Sequence, residues 1–271
     1  MCIRDRLNSS LRFLAKNLND ELSKKILSYN NEYGRKPHLL VILVGDNPAS
    51  QVYVKNKEKK AAEVGIKSTV IRLSKNVSEN NLLKVIDEAN ANISVDSILV
   101  QLPLPNHINS NKVIDRISID KDVDGFNSKN IGLLALGRPK VIPCTPLGCY
   151  KMLESILDLE GKKVIILGRS NIVGKPLSFL LTNKNATVTL AHSKSRNLKD
   201  LCLSSDIIIA AAIIISELKH KSFKFLDFEW ASVTVAFLFV NKNDKGFPTI
   251  FDLPKIITFF PSKSKMLSSI L

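Results

Sequence analysis

The sequence predicts an α/β protein of two domains, and three observations carry that prediction. Short apolar runs alternate with helix-length segments, as in strands joined by helical crossovers of a parallel sheet. One such run, Lys163-Val164-Ile165-Ile166-Leu167, leads directly into a glycine-bounded turn, Gly168-Arg169-Ser170-Asn171-Ile172-Val173-Gly174-Lys175-Pro176. Far upstream, Ser50-Gln51-Val52-Tyr53-Val54-Lys55-Asn56-Lys57 places an aromatic ring and a lysine four residues apart, on one face of a helix.

Residues 11–33 read as an amphipathic helix, with Leu11, Leu14, Ala15, Leu18, Leu22 and Ile26 at helical spacing and Gly34 and Pro37 ending it. Residues 1–6 fit neither a strand nor a helix pattern and have no apolar stretch of the secretory kind behind them. The unbroken apolar run at 39–44 predicts a strand buried on both faces. Gly45-Asp46-Asn47-Pro48 is a turn cluster, followed by a helix over 49–64 that Gly65 stops. A strand over 69–73, a helix over 78–90 and a strand over 97–101 come next. Pro103, Pro105, Pro143 and Pro146 punctuate the following section, which holds the turn-like Lys121-Asp122-Val123-Asp124-Gly125-Phe126. A helix over 145–157 links the two halves. A second βαβ unit follows: strand 163–167, the glycine turn, helix 174–181 and strand 187–191, with a further strand at 206–215. The boundary falls near residue 147, dividing a domain over 7–147 from one over 148–271.

Bulk composition narrows the class. With 45% hydrophobic and 24% charged residues in 271, the chain has the makeup of a soluble globular protein. Its longest apolar run, 207–215, is far short of the ~20 residues that span a bilayer. No membrane contact and a cytoplasmic location are expected. The four cysteines form no C-x-x-C pair and no Cys/His cluster of zinc spacing, so no metal site is expected. The net charge of +14 and pI near 9.6 raise nucleic-acid binding. The lysines are nevertheless scattered along the chain, without a basic tail or an RNA-binding signature. Anionic small molecules, not nucleic acid, are therefore the expected partners.

The turn after 163–167 has the makings of an anion cradle. Glycine permits an unusual φ and a close approach to the backbone. The following helix offers free N–H groups and a partial positive charge, and Pro176 fits its first turn. The spacing is not that of the usual dinucleotide fingerprint, and an ordinary strand-to-helix turn is the competing reading. Basic residues favour the cradle. Arg169 lies in the turn, and His192-Ser193-Lys194-Ser195-Arg196 follows the next strand, where dinucleotide folds meet the adenosine ribose. A basic and hydroxyl cluster there favours a 2′-phosphate, hence NADP; a solvated loop is the alternative. Lys57 is likewise open on its own. An unperturbed lysine is a poor base near neutral pH, and most helix lysines are simply solvated.

Five ordered motifs decide between these alternatives: Pro48-Ala49-Ser50-Gln51-Val52-Tyr53-Val54 with Lys57; Val100-Gln101-Leu102-Pro103-Leu104-Pro105; Lys121-Asp122-Val123-Asp124-Gly125-Phe126; Pro143-Cys144-Thr145-Pro146 with Gly148; and Gly168-Arg169-Ser170 with Val173, Gly174 and Pro176. In this order and spacing the chain closely resembles the bifunctional methylenetetrahydrofolate dehydrogenase/methenyltetrahydrofolate cyclohydrolase family, from about residue 39 to residue 211. The resemblance implies an α/β catalytic domain, a Rossmann-type NADP domain and a folate cleft between them. It implies oxidation of 5,10-methylenetetrahydrofolate to the methenyl form and its hydrolysis to 10-formyltetrahydrofolate, by a homodimer. It makes Lys57 the catalytic lysine, Tyr53 the ring stacked on the folate and Gln101 the amide that tunes the lysine. Asp124 becomes the acceptor for the pterin N–H groups, with Ser50, Leu102 and Pro103 on the same substrate wall. Gly168, Arg169, Ser170, Val173, Gly174, Pro176, His192 and Ser193 become cofactor residues.

The resemblance breaks down at both ends. The family's D-G-K start is absent, and after residue 211 the family's T-P-V-P-G-G-V-G-P-M-T loop is not found. Ile257-Thr258-Phe259-Phe260-Pro261-Ser262 stands near the end instead, and Asn241-Lys242-Asn243-Asp244-Lys245-Gly246 reads as a hairpin. A second reading follows, that of a family member keeping the fold with an incomplete cofactor and folate site.

Overall fold

The apolar run at 39–44 becomes the central strand of the first of two sheets in the computed structural model, which describes residues 3–210 and the strands Asp227–Trp230, Val233–Phe239 and Ile256–Ile257. Two compact units divide the chain, one of them Leu14–Cys144 and the other taking in the residues from Thr145 onward.

In the first unit, β1 (His38–Val44), β2 (Lys67–Leu73) and β3 (Ser97–Val100) form a parallel sheet in the order β2-β1-β3. β1 is buried on both faces, as its unbroken apolar sequence requires. Leu40, Ile42 and Val44 join Leu82 and Ile86 of α3 (Glu79–Ala91) and Val113 of α4 (Ser110–Arg116). Val41 and Leu43 point the other way and join Leu99 and Val54 of α2 (Pro48–Val64). The two-residue period of the strand thus gives each flanking helix its own set of side chains. The ends of α2 are set locally. Asn47 Oδ1 accepts the Ser50 N–H at 3.1 Å, Pro48 sits in the first turn, and Gly65 closes the helix at φ +91°.

Several elements differ from the sequence expectation. α1 runs Ile3–Tyr33 and begins well before residue 11, because no glycine or proline interrupts the chain ahead of Gly34. Among its described side chains the apolar spacing does not make a core stripe: Leu18 and Leu22 are 44% and 40% exposed, and Ile26 is buried. Two short helices, α4 and α5 (Ser128–Ala135), occupy the proline-punctuated section. Asparagines start both. Asn109 Oδ1 accepts from the backbone of Asn111 and Lys112, and Asn127 Oδ1 accepts from that of Lys129. α6 (Cys144–Glu154) ends short of residue 157.

The second unit opens its sheet with β4 (Lys163–Leu167), β5 (Thr187–Ala191) and β6 (Ile207–Ala210), parallel in the order β5-β4-β6. α7 (Gly174–Thr182) crosses from β4 to β5, and α8 (Leu198–Leu203), not foreseen from the sequence, precedes β6. The expected strand over 206–215 is described as far as Ala210. β7 (Asp227–Trp230), β8 (Val233–Phe239) and β9 (Ile256–Ile257) extend the sheet, β8 running antiparallel to β6 and pairing with both β7 and β9. The expected hairpin at 241–246 and the residues Phe259 and Phe260 lie outside the described residues. Among the described residues no helix is long and apolar enough to cross a membrane, and no group of three or more His, Cys, Asp or Glu could hold a metal ion.

One carboxylate ties the start of β1 to the approach to β3. Asp96 accepts from Arg35 Nη1 and Nη2 at 2.7 and 2.6 Å and from the His38 N–H at 2.7 Å. The Arg35 guanidinium foremost, with the His38 N–H after it, holds the Asp96 carboxyl below the usual carboxylate range. A depressed folded-state pKa gives stability that is present above the unfolded value and lost as pH falls through the folded one. Asp96→Ala should therefore lower stability by about 2 kcal/mol near neutral pH. The gap between variant and parent in thermal unfolding should narrow once the pH drops below about 4.

Candidate functional site

α2 brings its lysine to the sheet by packing. Ser50, Val54 and Ala61 are buried, and with about 100° per residue the positions 50, 54, 57 and 61 fall within about 60° of one another around the helix axis. Lys57 thus occupies a place on the inward stripe where an apolar residue would serve the core, and it is half-buried there. Its Nζ donates to Gln101 Oε1 at 3.3 Å. Gln101 directly follows β3, and its backbone N–H donates to Ile42 O at 2.9 Å, continuing the sheet. The amide is 5% exposed, and its Nε2 donates to Leu102 O at 2.7 Å. That bond assigns the amide its orientation and turns Oε1 toward the lysine. The peptide after it, Leu102–Pro103, is cis. Tyr53 lies one turn before Lys57 on α2 and is half-buried; Ser50 is 2% exposed; Leu102 is half-buried and Pro103 exposed.

The motif at 121–126 separates its two aspartates. Asp122 is 2% exposed, and its carboxylate accepts four hydrogen bonds: the N–H groups of Gly125 (3.1 Å), Phe126 (3.4 Å) and Asn127 (2.9 Å), and Asn130 Nδ2 (2.7 Å). This is a structural carboxylate that shapes the turn and the start of α5. The sequence shows Asp122 only as part of a turn-like motif, and the two asparagines of Asn127-x-x-Asn130 were the available signal for its role. Gly125, at φ +68°, is needed for space as well as for conformation. A Cβ there would lie 2.9 Å from Pro143 N and 3.1 Å from Val141 O.

Asp124 is different. It is half-buried, and among the described residues no donor contacts its carboxylate. Desolvation is the main force raising its pKa above the ordinary value; Lys57 opposes the rise and Asp122 adds to it. Lys57 is the cation that this carboxylate feels. The first unit thus gathers Lys57, Gln101 and Asp124 into one electrostatic group. It can bind a ligand bearing N–H donors and move a proton at the lysine.

The second unit builds the turn at 168–176. The Gly168 N–H donates to Ala191 O at 2.8 Å, and Leu167 pairs with Ala191, so β4 and β5 end side by side. Arg169 and the segment from His192 therefore leave the sheet at neighbouring carboxyl ends, the edge where open parallel sheets take ligands. Gly168 has φ +126°. Gly174 has no room for a side chain, since a Cβ would fall 2.0 Å from Gly168 O and 2.8 Å from Gly168 C. Ser170 is half inside this turn. Its Oγ accepts from the N–H groups of Val173 (3.2 Å) and Gly174 (3.3 Å), and its carbonyl accepts from Lys175 N. The helix N–H groups expected to stay free for an anion are thus partly used internally, while the Ser170 O–H remains a donor. Val173 and Pro176 are buried and Arg169 is exposed. In the loop after β5, His192 Nδ1 accepts from Lys194 N at 3.1 Å and the His192 N–H donates to Ser195 Oγ at 2.9 Å, with Ser193 exposed between them.

Two tests follow. Gly174→Ala must displace backbone, because the obstructing atoms belong to Gly168 and Arg169. It should cost about 3 kcal/mol in thermal or denaturant unfolding. Asp124→Asn works the other way. A carboxyl whose folded pKa is raised costs stability above that pKa and is relieved as pH falls through it. The variant should melt higher than the parent at pH 7, by about 2–4 °C per kcal/mol released, with the advantage vanishing in acid.

Comparison with known proteins covers both units. The model of the tetrahydrofolate dehydrogenase/cyclohydrolase catalytic domain matches residues 11–124, and that of the NAD(P)-binding domain of the same enzymes matches residues 143–224. The chain is 52% identical over 199 residues to the bifunctional protein FolD of Streptococcus uberis, covering 73% of this chain and 70% of that protein. Among solved structures, the bifunctional FolD of Campylobacter jejuni superposes with a TM-score of 0.72 at 46% identity, covering 74% of this chain and 72% of that one. The Trypanosoma brucei FolD, solved with NADP and an inhibitor, gives 0.71 at 35% identity over 74% of this chain and 70% of its own. Matched in both its catalytic and its nucleotide-binding parts, the chain belongs to the tetrahydrofolate dehydrogenase/cyclohydrolase family.

Proposed function

We propose that the protein oxidises 5,10-methylenetetrahydrofolate to 5,10-methenyltetrahydrofolate with NADP and hydrolyses the product to 10-formyltetrahydrofolate. The observation that carries this reading is the half-buried Lys57, held by the Gln101 amide beside a desolvated Asp124 whose carboxylate meets no hydrogen-bond donor among the described residues. The catalytic chemistry belongs to the first unit and cofactor binding to the second. Action as a homodimer in the cytoplasm is part of the same reading.

The residues of the second unit fit the cofactor. Gly174 packs its bare Cα against the Gly168 carbonyl, so the turn presents backbone and no side chain at that point, and the loop leaving β5 offers Ser193 and basic residues where an acidic side chain would favour NAD. Gly168, Arg169, Ser170, His192 and Ser193 would hold its phosphates and ribose, with Val173, Gly174 and Pro176 shaping the turn. Bound NADP supplies the hydride acceptor.

The chain's own contribution to the oxidation is alignment: Tyr53 offers a ring face on the side of α2 that carries Lys57. Asp124, as a carboxylate, accepts from the N–H groups of the pterin and so gains the donors that the fold does not give it. Hydrolysis begins with water adding to the methenyl carbon and requires a proton to leave that water. Lys57 Nζ is the group that holds the water and moves the proton. Gln101 fixes Nζ with a neutral oxygen, which restrains the side chain without adding a charge.

The purified chain, mixed with 5,10-methylenetetrahydrofolate and NADP, should show growth of NADPH absorbance; none at high enzyme concentration would sink the oxidation. Lys57→Met should slow methenyltetrahydrofolate hydrolysis by at least ~100-fold. Hydrolysis retained in that variant would refute the lysine assignment.

A further inference from the structure

We propose that Asp122 is a positioning residue for the folate reaction, setting the place of Asp124 relative to the Lys57–Gln101 pair. The proposal rests on the reading that Asp124 meets the folate.

Three observations support it. First, the Asp122 carboxylate is satisfied from both oxygens. Oδ1 takes the N–H groups of Gly125 and Phe126, and Oδ2 takes Asn127 N and Asn130 Nδ2. These donors follow Asp124 directly, so the bonds fix the chain on its C-terminal side. Second, the backbone of Asp122 is seamed to β3. It forms a parallel bridge with Ile98, and the Ile98 N–H donates to Lys121 O at 2.7 Å. Ile98 stands three residues before Gln101, so one residue joins the strand that delivers Gln101 to the turn that delivers Asp124. Third, Gly125 lets this turn pack directly on the backbone of 141–143, which leaves little freedom to re-form it elsewhere. Among the described residues no hydrogen bond holds the Asp124 side chain, so its position is inherited from this frame.

The charges facing Asp124 come from each side of the frame. Lys57 reaches it from α2 and Asp122 from its own turn, while the Cys144 thiol, at the start of α6, donates to Val123 O at 3.9 Å. Asp122→Asn keeps the volume. It sets an NH2 group against the N–H donors of Asn127 and Asn130, or else against those of Gly125 and Phe126, so one side of the frame opens.

The test is steady-state kinetics at a temperature where circular dichroism shows the variants folded. Asp122→Asn should raise the KM for 5,10-methylenetetrahydrofolate at least tenfold and leave the KM for NADP within twofold. A folate KM within twofold of the parent would overturn the proposal. Should that variant not fold, Asn130→Ala removes one of the four bonds, and the same split is expected at smaller size; an unchanged folate KM counts against the proposal. Asp124→Asn separates the two layers of the argument. If it leaves the folate KM unchanged, the assignment of Asp124 fails and the positioning role with it. If it raises the folate KM, Asp122→Asn should add nothing further in the Asp124→Asn background, because both changes act through one carboxylate. A full additional effect there would mean that Asp122 acts only on general stability.

Discussion

Burial of β1 on both faces is the constraint on which the catalytic unit depends. His38–Val44 has α3 and α4 on one side and α2 on the other, so neither layer can slide without opening a core. The packing of Val54 against Val41, Leu43 and Leu99 fixes the rotation of α2. That rotation decides that Lys57 points inward. The hydrogen bond from Gln101 N to Ile42 O fixes the far partner from the same strand. A 3.3 Å contact between Nζ and Oε1 is thus a product of aliphatic packing. Polar groups complete the arrangement without being its cause.

The turn at 121–126 shows how one short motif divides its charge between architecture and chemistry. Both aspartates are removed from water to some degree, and both would resist it. Asp122 is compensated within the fold by four donors. Among the described residues Asp124 is compensated by the field of Lys57 alone, and desolvation is the main force on its titration. An acceptor left short of donors destabilises the free protein and favours whatever brings N–H groups to it. A local cost of this kind is what the proposed folate site would use, and the well-satisfied neighbour keeps it from spreading.

Much of this was legible in the sequence where one physical signal dominated. An unbroken apolar run leaves a strand few alternatives, and β1, β4 and β6 lie where such runs stand. The spacing of Ser50, Val54, Lys57 and Ala61 contained the inward direction of Lys57, because three of the four belong in a core. Other features rest on relations that a linear reading does not hold. α4 and α5 are short, and their asparagine caps only make sense once the backbone N–H groups beyond them are in place. The apolar spacing of α1 misled, since Leu18 and Leu22 found no partner surface among the described residues. Asp122 and Asp124 are separated by a single residue and chemically identical. Composition and spacing do not tell them apart; the three-dimensional supply of donors does. The same is true of Ser170, whose hydroxyl serves its own helix before it can serve a ligand.

The contact of Gly174 with Gly168 has a consequence for how this protein can change. With 2.0 Å between a hypothetical Cβ and the Gly168 carbonyl, the turn admits no side chain there that could tune recognition. The loop from His192 to Arg196 has no such restriction: Ser193, Lys194 and Arg196 are exposed, and the loop is held by its own short bonds. If these two segments hold the cofactor as proposed, variation in dinucleotide preference is channelled to the exit of β5, while the turn after β4 stays constant. On that reading the nucleotide unit is built as an invariant clasp beside an adjustable one, and a lineage could exchange one cofactor for another without reopening its core.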